Sequence, residues 1–432
     1  MIRTLFRTLA DVANHSVSGL LECRFNIHSS VRRIAVLAVF EILRTAVSAQ
    51  NISGSWNGEL KAGFQKIPIV LNLTSDGKCT LDSPSQGAKG ISADVEFLSA
   101  DSVSIRVPMI GAAYSGRLQN GEIKGLFVQN GFRLPLTLTP GKTAELKRPQ
   151  TPQPPYPYLT EEVSFTNSKA GATLSGTLTL PKNAKCVLLM VTGSGAQNRD
   201  EEVFGHKPFA VIADRLAREG IATLRYDDRA TAKSVGGNIE DATTRDFADD
   251  AAAGVEWLRK SGRFKKIGVL GHSEGAIIGF MLGAQKKVDF VVSLAGTAVK
   301  GDSVLLAQNK AIAGDAAKNL TIEQLRKMLG ERKNPWMQWF VDYNPQTDIE
   351  NVKCPVFAAF GSKDCQVAVS QNLVAMRRAL PNGKCNLLKE YDGLNHLFQH
   401  CHTGLPDEYG QIEETFSEEV IADMAQWIKS IW

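Results

Sequence analysis

Apolar and polar positions alternate in short runs from Ile52 to about Pro140. Ile67 to Thr74 (I-P-I-V-L-N-L-T) and Ser102 to Val107 (S-V-S-I-R-V) are rich in β-branched residues, whose stiff side chains suit a pleated, half-buried surface. Turn signals separate such runs: Ser75-Asp76-Gly77, Gln119-Asn120-Gly121 and Gln129-Asn130-Gly131. The pattern predicts a small all-β domain over residues 50–140, an antiparallel sandwich or barrel. It holds no His, so a structural or substrate-restricting module is expected rather than a second catalytic centre.

Residues 141–158 break the alternation. T-P-Q-P-P-Y-P, Thr151 to Pro157, holds four prolines, which lack the N–H a ladder needs, so a stiff linker is predicted. From residue 159 to the end, apolar runs alternate with amphipathic helical stretches, which implies a mostly parallel sheet flanked by helices. Glu162 to Thr166 and Thr173 to Leu180 read as an entering antiparallel pair. Cys186 to Val191, Ile221 to Tyr226, Lys266 to Leu270, Val288 to Leu294, Val356 to Phe360 and Cys385 to Leu388 read as the strands that follow. Between about 299 and 349 the alternation stops, and a helical insertion is expected. It carries Trp336, Trp339, Phe340 and Tyr343, and the first three are candidate substrate contacts.

A chain of 432 residues exceeds what one core usually organises, which agrees with two domains. The formal charge of +4 is spread thinly, so nucleic acid is not an expected partner. No later segment is long and apolar enough to span a membrane. The first 49 residues read as a leader. Arg32 and Arg33 precede the apolar run Ile34 to Phe40, and A-V-S-A-Q closes it, so cleavage after Ala49 and export to the periplasm or medium are expected. A cytoplasmic chain with an amphipathic N-terminal helix is the alternative. Cys79, Cys186, Cys354, Cys365, Cys385 and Cys401 form no C-x-x-C pair. A Cys365–Cys401 bridge, a Cys354–Cys385 bridge and free thiols all stay open.

Chemistry concentrates in G-H-S-E-G, Gly271 to Gly275, set between a predicted strand and a predicted helix. That is the context of a nucleophile elbow. The turn is too tight for side chains at Gly271 and Gly275, and the following helix N-terminus stabilises negative charge near Ser273. A serine nucleophile needs a base, and the base needs an orienting carboxylate, in the chain order Ser, acid, His. Asp364 follows the strand ending at Phe360, and His396 follows the strand ending at Leu388. Both fall at carboxyl ends of parallel strands, where sites in open sheets gather. Asp392 ranks behind Asp364 as acid, and His400 and His402 rank behind His396 as base. His272 is read as structural, directed away from the site. Oxyanion donors are expected from the backbone amides of Glu274 and Ser194, with Gly195 as second choice to Ser194. His396 to His402 groups three His and one Cys, but an i, i+4 His pair suits a metal only on a helix. Neither metal nor cofactor is assigned.

From about Glu161 onward the chain resembles bacterial α/β-hydrolase carboxylesterases related to the serine aminopeptidase (S33-like) group. V-T-G-S-G-A-Q-N-R-D, L-R-Y-D-D-R, G-H-S-E-G, G-S-K-D-C-Q-V and L-N-H-L-F carry the likeness. The resemblance implies an α/β-hydrolase fold, the triad Ser273, Asp364 and His396, and, in secreted members, an extra N-terminal β domain. The family has Gly where this chain has Ala230. Asp227, Asp228 and Arg229 are expected to support a loop through ion pairs. A small-molecule ester is the expected substrate, with a serine peptidase as the alternative, in which Asp200, Glu201 and Glu202 would hold a substrate ammonium. Oligomeric state stays open.

Overall fold

The computed structural model describes residues 52–431 except 63–64, 85–87, 130, 142–146 and 332–333. The leader read at residues 1–49 therefore lies outside the described residues. Two compact units result, one built chiefly from residues 54–140 and the other from residue 147 onward.

In the first unit eight antiparallel strands run in chain order: β1 Gly54–Ala62, β2 Gln65–Leu73, β3 Cys79–Ser83, β4 Ala88–Leu98, β5 Ser102–Val107, β6 Ala112–Gln119, β7 Glu122–Gln129 and β8 Phe132–Pro140. β1 pairs with β8 at Trp56↔Pro140, which closes a barrel and removes the free edges an open sheet would expose. Alternate residues point inward: Val103, Ile105 and Val107 of β5 are buried, as are Leu136 and Leu138 of β8. The barrel interior is thus side-chain core. Tyr114 is buried within it and donates its hydroxyl to the Ile123 and Leu136 carbonyls at 3.1 and 3.2 Å.

The second unit begins where the linker was expected. Instead of spanning free space, this segment is bonded to its own unit. Arg148 donates to the carbonyls of Ile412, Phe204 and Gly410, and Gln150 Nε2 donates to the Phe416 carbonyl at 2.8 Å. Tyr158 donates to Asp214 at 2.7 Å. The prolines cannot donate to a ladder and the stretch runs in turns and bends, so its polar side chains supply the bonds the ladder lacks.

Eight strands then form one sheet: β9 Leu159–Asn167, β10 Ala172–Leu180, β11 Cys186–Val191, β12 Ala222–Tyr226, β13 Lys266–His272, β14 Phe290–Leu294, β15 Val356–Gly361 and β16 Leu387–Tyr391. Their spatial order is β16-β15-β14-β13-β11-β12-β10-β9. β10 runs antiparallel to both of its neighbours, β9 and β12, and every other pairing is parallel. This is the strand order of the α/β-hydrolase fold, with β13 central. On β11, Val187, Leu189 and Val191 face one core and Cys186, Leu188 and Met190 the other, so both faces are covered. Burial of each such side chain stabilises by roughly 1.5–3 kcal/mol before entropy is counted. The helix Glu274–Ala284 packs against β13 and β14 and is buried on every side except its last residue, which is why it shows no amphipathic stripe.

The expected insertion comprises helices Gly301–Ala313, Ile322–Gly330, Pro335–Asp342 and Gln346–Ile349. Thr321 and Gln324 form a capping box on the second, and Asn334 caps the third with Pro335 in its first turn. Arg326 bonds both Asp302 and Asp342, tying three of the helices together.

Candidate active site

β13 runs two residues further than its hydrophobic pattern indicates, to His272, and the helix starts at Glu274. Ser273 alone makes the turn, at φ 54° and ψ −112°. A side-chain-bearing residue pays roughly 1–3 kcal/mol for a conformation of this kind. Surroundings enforce it. A Cβ on Gly271 would lie 2.0 Å from the Gly275 carbonyl oxygen, and one on Gly275 would lie 2.1 Å from that of Val191. Both glycines are required by backbone, not by mobile side chains. The Ser273 amide donates to Leu294 O of β14 at 2.8 Å, locking the turn to the sheet.

Asp364 stands just past β15, and its Oδ1 accepts the amides of Gln366 and Val367 at 2.8 Å each. Its other oxygen, Oδ2, lies 2.7 Å from His396 Nδ1. Both side chains are buried. An ionised carboxylate accepting at Nδ1 fixes the tautomer and leaves Nε2 as the basic nitrogen. Asp392 instead accepts from Ser362, and His400 is exposed and pairs with Glu414. His402 is exposed. Among the described residues the Ser273 hydroxyl makes no hydrogen bond, and in unliganded sites the serine–base contact is commonly loose.

The loop after β11 approaches the elbow, since a Cβ on Gly193 would lie 3.4 Å from Ser273 Cβ. The Gly193 amide is consumed by Glu201 Oε1 at 2.6 Å. The amides of Ser194 and Gly195 have no partner among the described residues, and Gly195 sits at φ 107°. Glu274 is the first residue of its helix, so its amide has no intrahelical acceptor. Its carboxyl is buried and pushed up by that burial, opposed by hydrogen bonds that include one from Trp336 Nε1 at 2.7 Å.

That bond brings Trp336 beside the elbow. Phe340 stacks under Trp336 with centroids 5.1 Å apart and is buried in the insertion, and Trp339 stacks on Tyr343 at 4.5 Å. Of the three aromatic residues, only Trp336 bonds to a residue next to Ser273.

His272 departs from expectation. It is not directed away: its Nε2 lies 2.9 Å from the His396 carbonyl oxygen, and the two rings are 4.8 Å apart. Its Nδ1 lies 2.9 Å from Glu201 Oε1. Glu201 is 71 residues away along the chain, so no spacing pattern signals this pair. It also removes Glu201 from the carboxylates read as ammonium ligands. Asp200 is paired with Arg225, and Lys207 lies 3.6 Å from Glu202. The expected loop support is present: Asp227 pairs with Arg199 at 2.8 Å, Arg229 pairs with Asp250 at 2.7 Å, and Asp228 accepts the Gln197 amide at 2.8 Å. All six described cysteines are free, and Cys365 and Cys401 donate to the carbonyls of Gly404 and Gly393. No helix among the described residues is long and apolar enough to cross a membrane.

Residues 207–353 match the model of a family described as serine aminopeptidase, S33. The match holds the Ser273 elbow and ends before Asp364 and His396. Esterase EstD of Thermotoga maritima is 27% identical over 282 residues, covering 59% of this chain. The chain spans 65% of that relative's length, just under two thirds. Among solved structures, the Pyrococcus furiosus esterase Pf2001 is similar with a TM-score of 0.43 at 19% identity, covering 63% of this chain and 90% of its own. Est1E of Butyrivibrio proteoclasticus, solved with ferulic acid bound, is similar with a TM-score of 0.43 at 16% identity, covering 62% and 98%.

Proposed function

We propose that this chain is a serine hydrolase that cleaves carboxylic esters of small molecules through an acyl-enzyme. The observation that carries the reading is the 2.7 Å bond between His396 Nδ1 and Asp364, on a loop that is itself bonded to the Ser273 elbow through His272. Ser273 attacks the ester carbonyl while His396 Nε2 removes its proton, a step worth about 10²–10⁴-fold. The proton then passes to the leaving alcohol. Water, deprotonated by the same nitrogen, releases the acid. Asp364 stays ionised and stabilises the imidazolium. The Glu274 amide, with that of Ser194 or Gly195, receives the oxyanion, and each such donor contributes about 3 kcal/mol. Hydrolysis of p-nitrophenyl acyl esters by the wild type and by Ser273→Ala tests the reading.

The name of the matching family favours a second reading, a peptidase that removes N-terminal residues. It needs a free carboxylate for the substrate ammonium, and Asp200 and Glu201 are already committed. The ratio of kcat/KM for p-nitrophenyl esters to that for aminoacyl anilides separates the two. Export is part of the proposal on the strength of the leader alone, and a mature N-terminus near Gln50 is its test.

A further inference from the structure

Three segments meet at the His272 ring. The loop after β11 contributes Glu201, the elbow contributes His272 itself, and the base loop contributes the His396 carbonyl. Both ring nitrogens face acceptor oxygens, each at 2.9 Å. A neutral imidazole has one N–H and satisfies only one of them. With the Nε2 proton given to His396 O, the Nδ1–Oε1 contact needs a further proton on one of its two atoms. Glu201 Oε1 also accepts the Gly193 amide, so the same oxygen anchors the loop that carries Ser194 and Gly195. Glu201 is buried at φ 52°, an uncommon conformation for a residue with a side chain. The hydrolytic steps above use neither side chain.

We propose that Glu201 and His272 are a positioning pair. Together they hold the His396 backbone and the Gly193–Gly195 loop in register with Ser273, and they do so only while the pair retains the proton between them. The inference rests on the proposed roles of Ser273 and His396. Loss of that proton sets an Nδ1 lone pair against a carboxylate oxygen at 2.9 Å, and one of the two bonds must open. The groups facing His272 are Glu201 from the β11 loop, His396 from the base loop and Asp364 behind it. Burial disfavours the imidazolium, but the Glu201 carboxylate, the His396 carbonyl and Asp364 outweigh it and hold the His272 pKa above its ordinary value. The sign follows: the pair is intact below that raised pKa and fails above it. Activity thus has an alkaline limit set by Glu201–His272.

The test is the pH profile of kcat/KM with p-nitrophenyl acetate for the full chain, Glu201→Gln and Glu201→Asp. Gln removes the counter-charge, so the alkaline limb is expected to fall by at least about one pH unit, while Asp returns it toward the wild-type position. A Glu201→Gln limb that coincides with the wild type overturns the inference. Should that variant fail to fold, the imidazole ¹⁵N spectrum of the wild type decides. One solvent-protected histidine that keeps both ring protons above the ordinary imidazole pKa is expected, and buried histidines that are all neutral there overturn the pair. A wild type without ester turnover removes the proposed function, and the ¹⁵N spectrum still judges the pair on its own.

Discussion

His396 Nδ1 lies 2.7 Å from Asp364 Oδ2 although 32 residues separate the two in the chain. The neighbouring parallel strands β15 and β16 end side by side, paired at Gly361↔Tyr391, and their following loops deliver acid and base to one point. Removing the charge of Asp364 leaves the imidazole free to adopt the wrong tautomer. Asp364→Asn is expected to lower kcat by about 10⁴-fold with little change in KM. A steady-state comparison with a p-nitrophenyl ester checks this, and a loss below tenfold rejects Asp364 as the orienting acid.

Ser273→Ala is expected to lower kcat by roughly 10⁶-fold and to abolish labelling by a fluorophosphonate. Circular dichroism should be unchanged. Labelling that persists would move the nucleophile elsewhere.

Gly275→Ala places a Cβ 2.1 Å from Val191 O and 2.7 Å from Thr192 O, and neither backbone oxygen can rotate away. A loss of about 3 kcal/mol or more is expected, together with activity. Urea unfolding measures it. A stable, active variant would mean that the elbow yields more readily than its packing implies.

His206 is buried between Thr415 and the Tyr409 carbonyl, and burial, with Arg148 nearby, pushes its pKa down to about 4. The unfolded chain takes up that proton near 6.5, so it binds more protons than the folded chain between those values. Stability should therefore be complete above pH 6.5 and fall by about 3 kcal/mol as pH drops toward 4. Urea midpoints from pH 7.5 to 4.5 for the wild type and His206→Gln test this. Equal slopes in both proteins would clear His206 of the effect.

Ala230 occupies φ 54°, where glycine is at no disadvantage and alanine is. Ala230→Gly is expected to stabilise by about 0.5 kcal/mol, the relief of strain exceeding the added chain entropy. A lower urea midpoint in the variant would contradict it.

Local pattern alone determined much of this protein. Alternation over residues 50–140 specified antiparallel strands, and apolar runs such as Cys186 to Val191 specified buried parallel ones, because side-chain period follows backbone geometry directly. Gly271 announced the elbow because its steric exclusion, against the Gly275 carbonyl, acts within five residues, whereas Gly275 is required by Val191 of a neighbouring strand. Asp364 and His396 were legible because strand ends in a parallel sheet converge on one edge. Strand ends themselves were not: β13 extends to His272, and β16 starts at Leu387 rather than Cys385. Barrel closure was undecided as well, since it depends on pairing β1 with β8 across some eighty residues. The tertiary structure alone turned His272 toward His396, joined it to Glu201, and brought Trp336 to Glu274. These contacts bridge loops far apart in sequence, and no periodicity encodes which loop meets which. Packing chose them, by bringing donors from separate loops to the same buried acceptors, as Gly193 and His272 meet at Glu201.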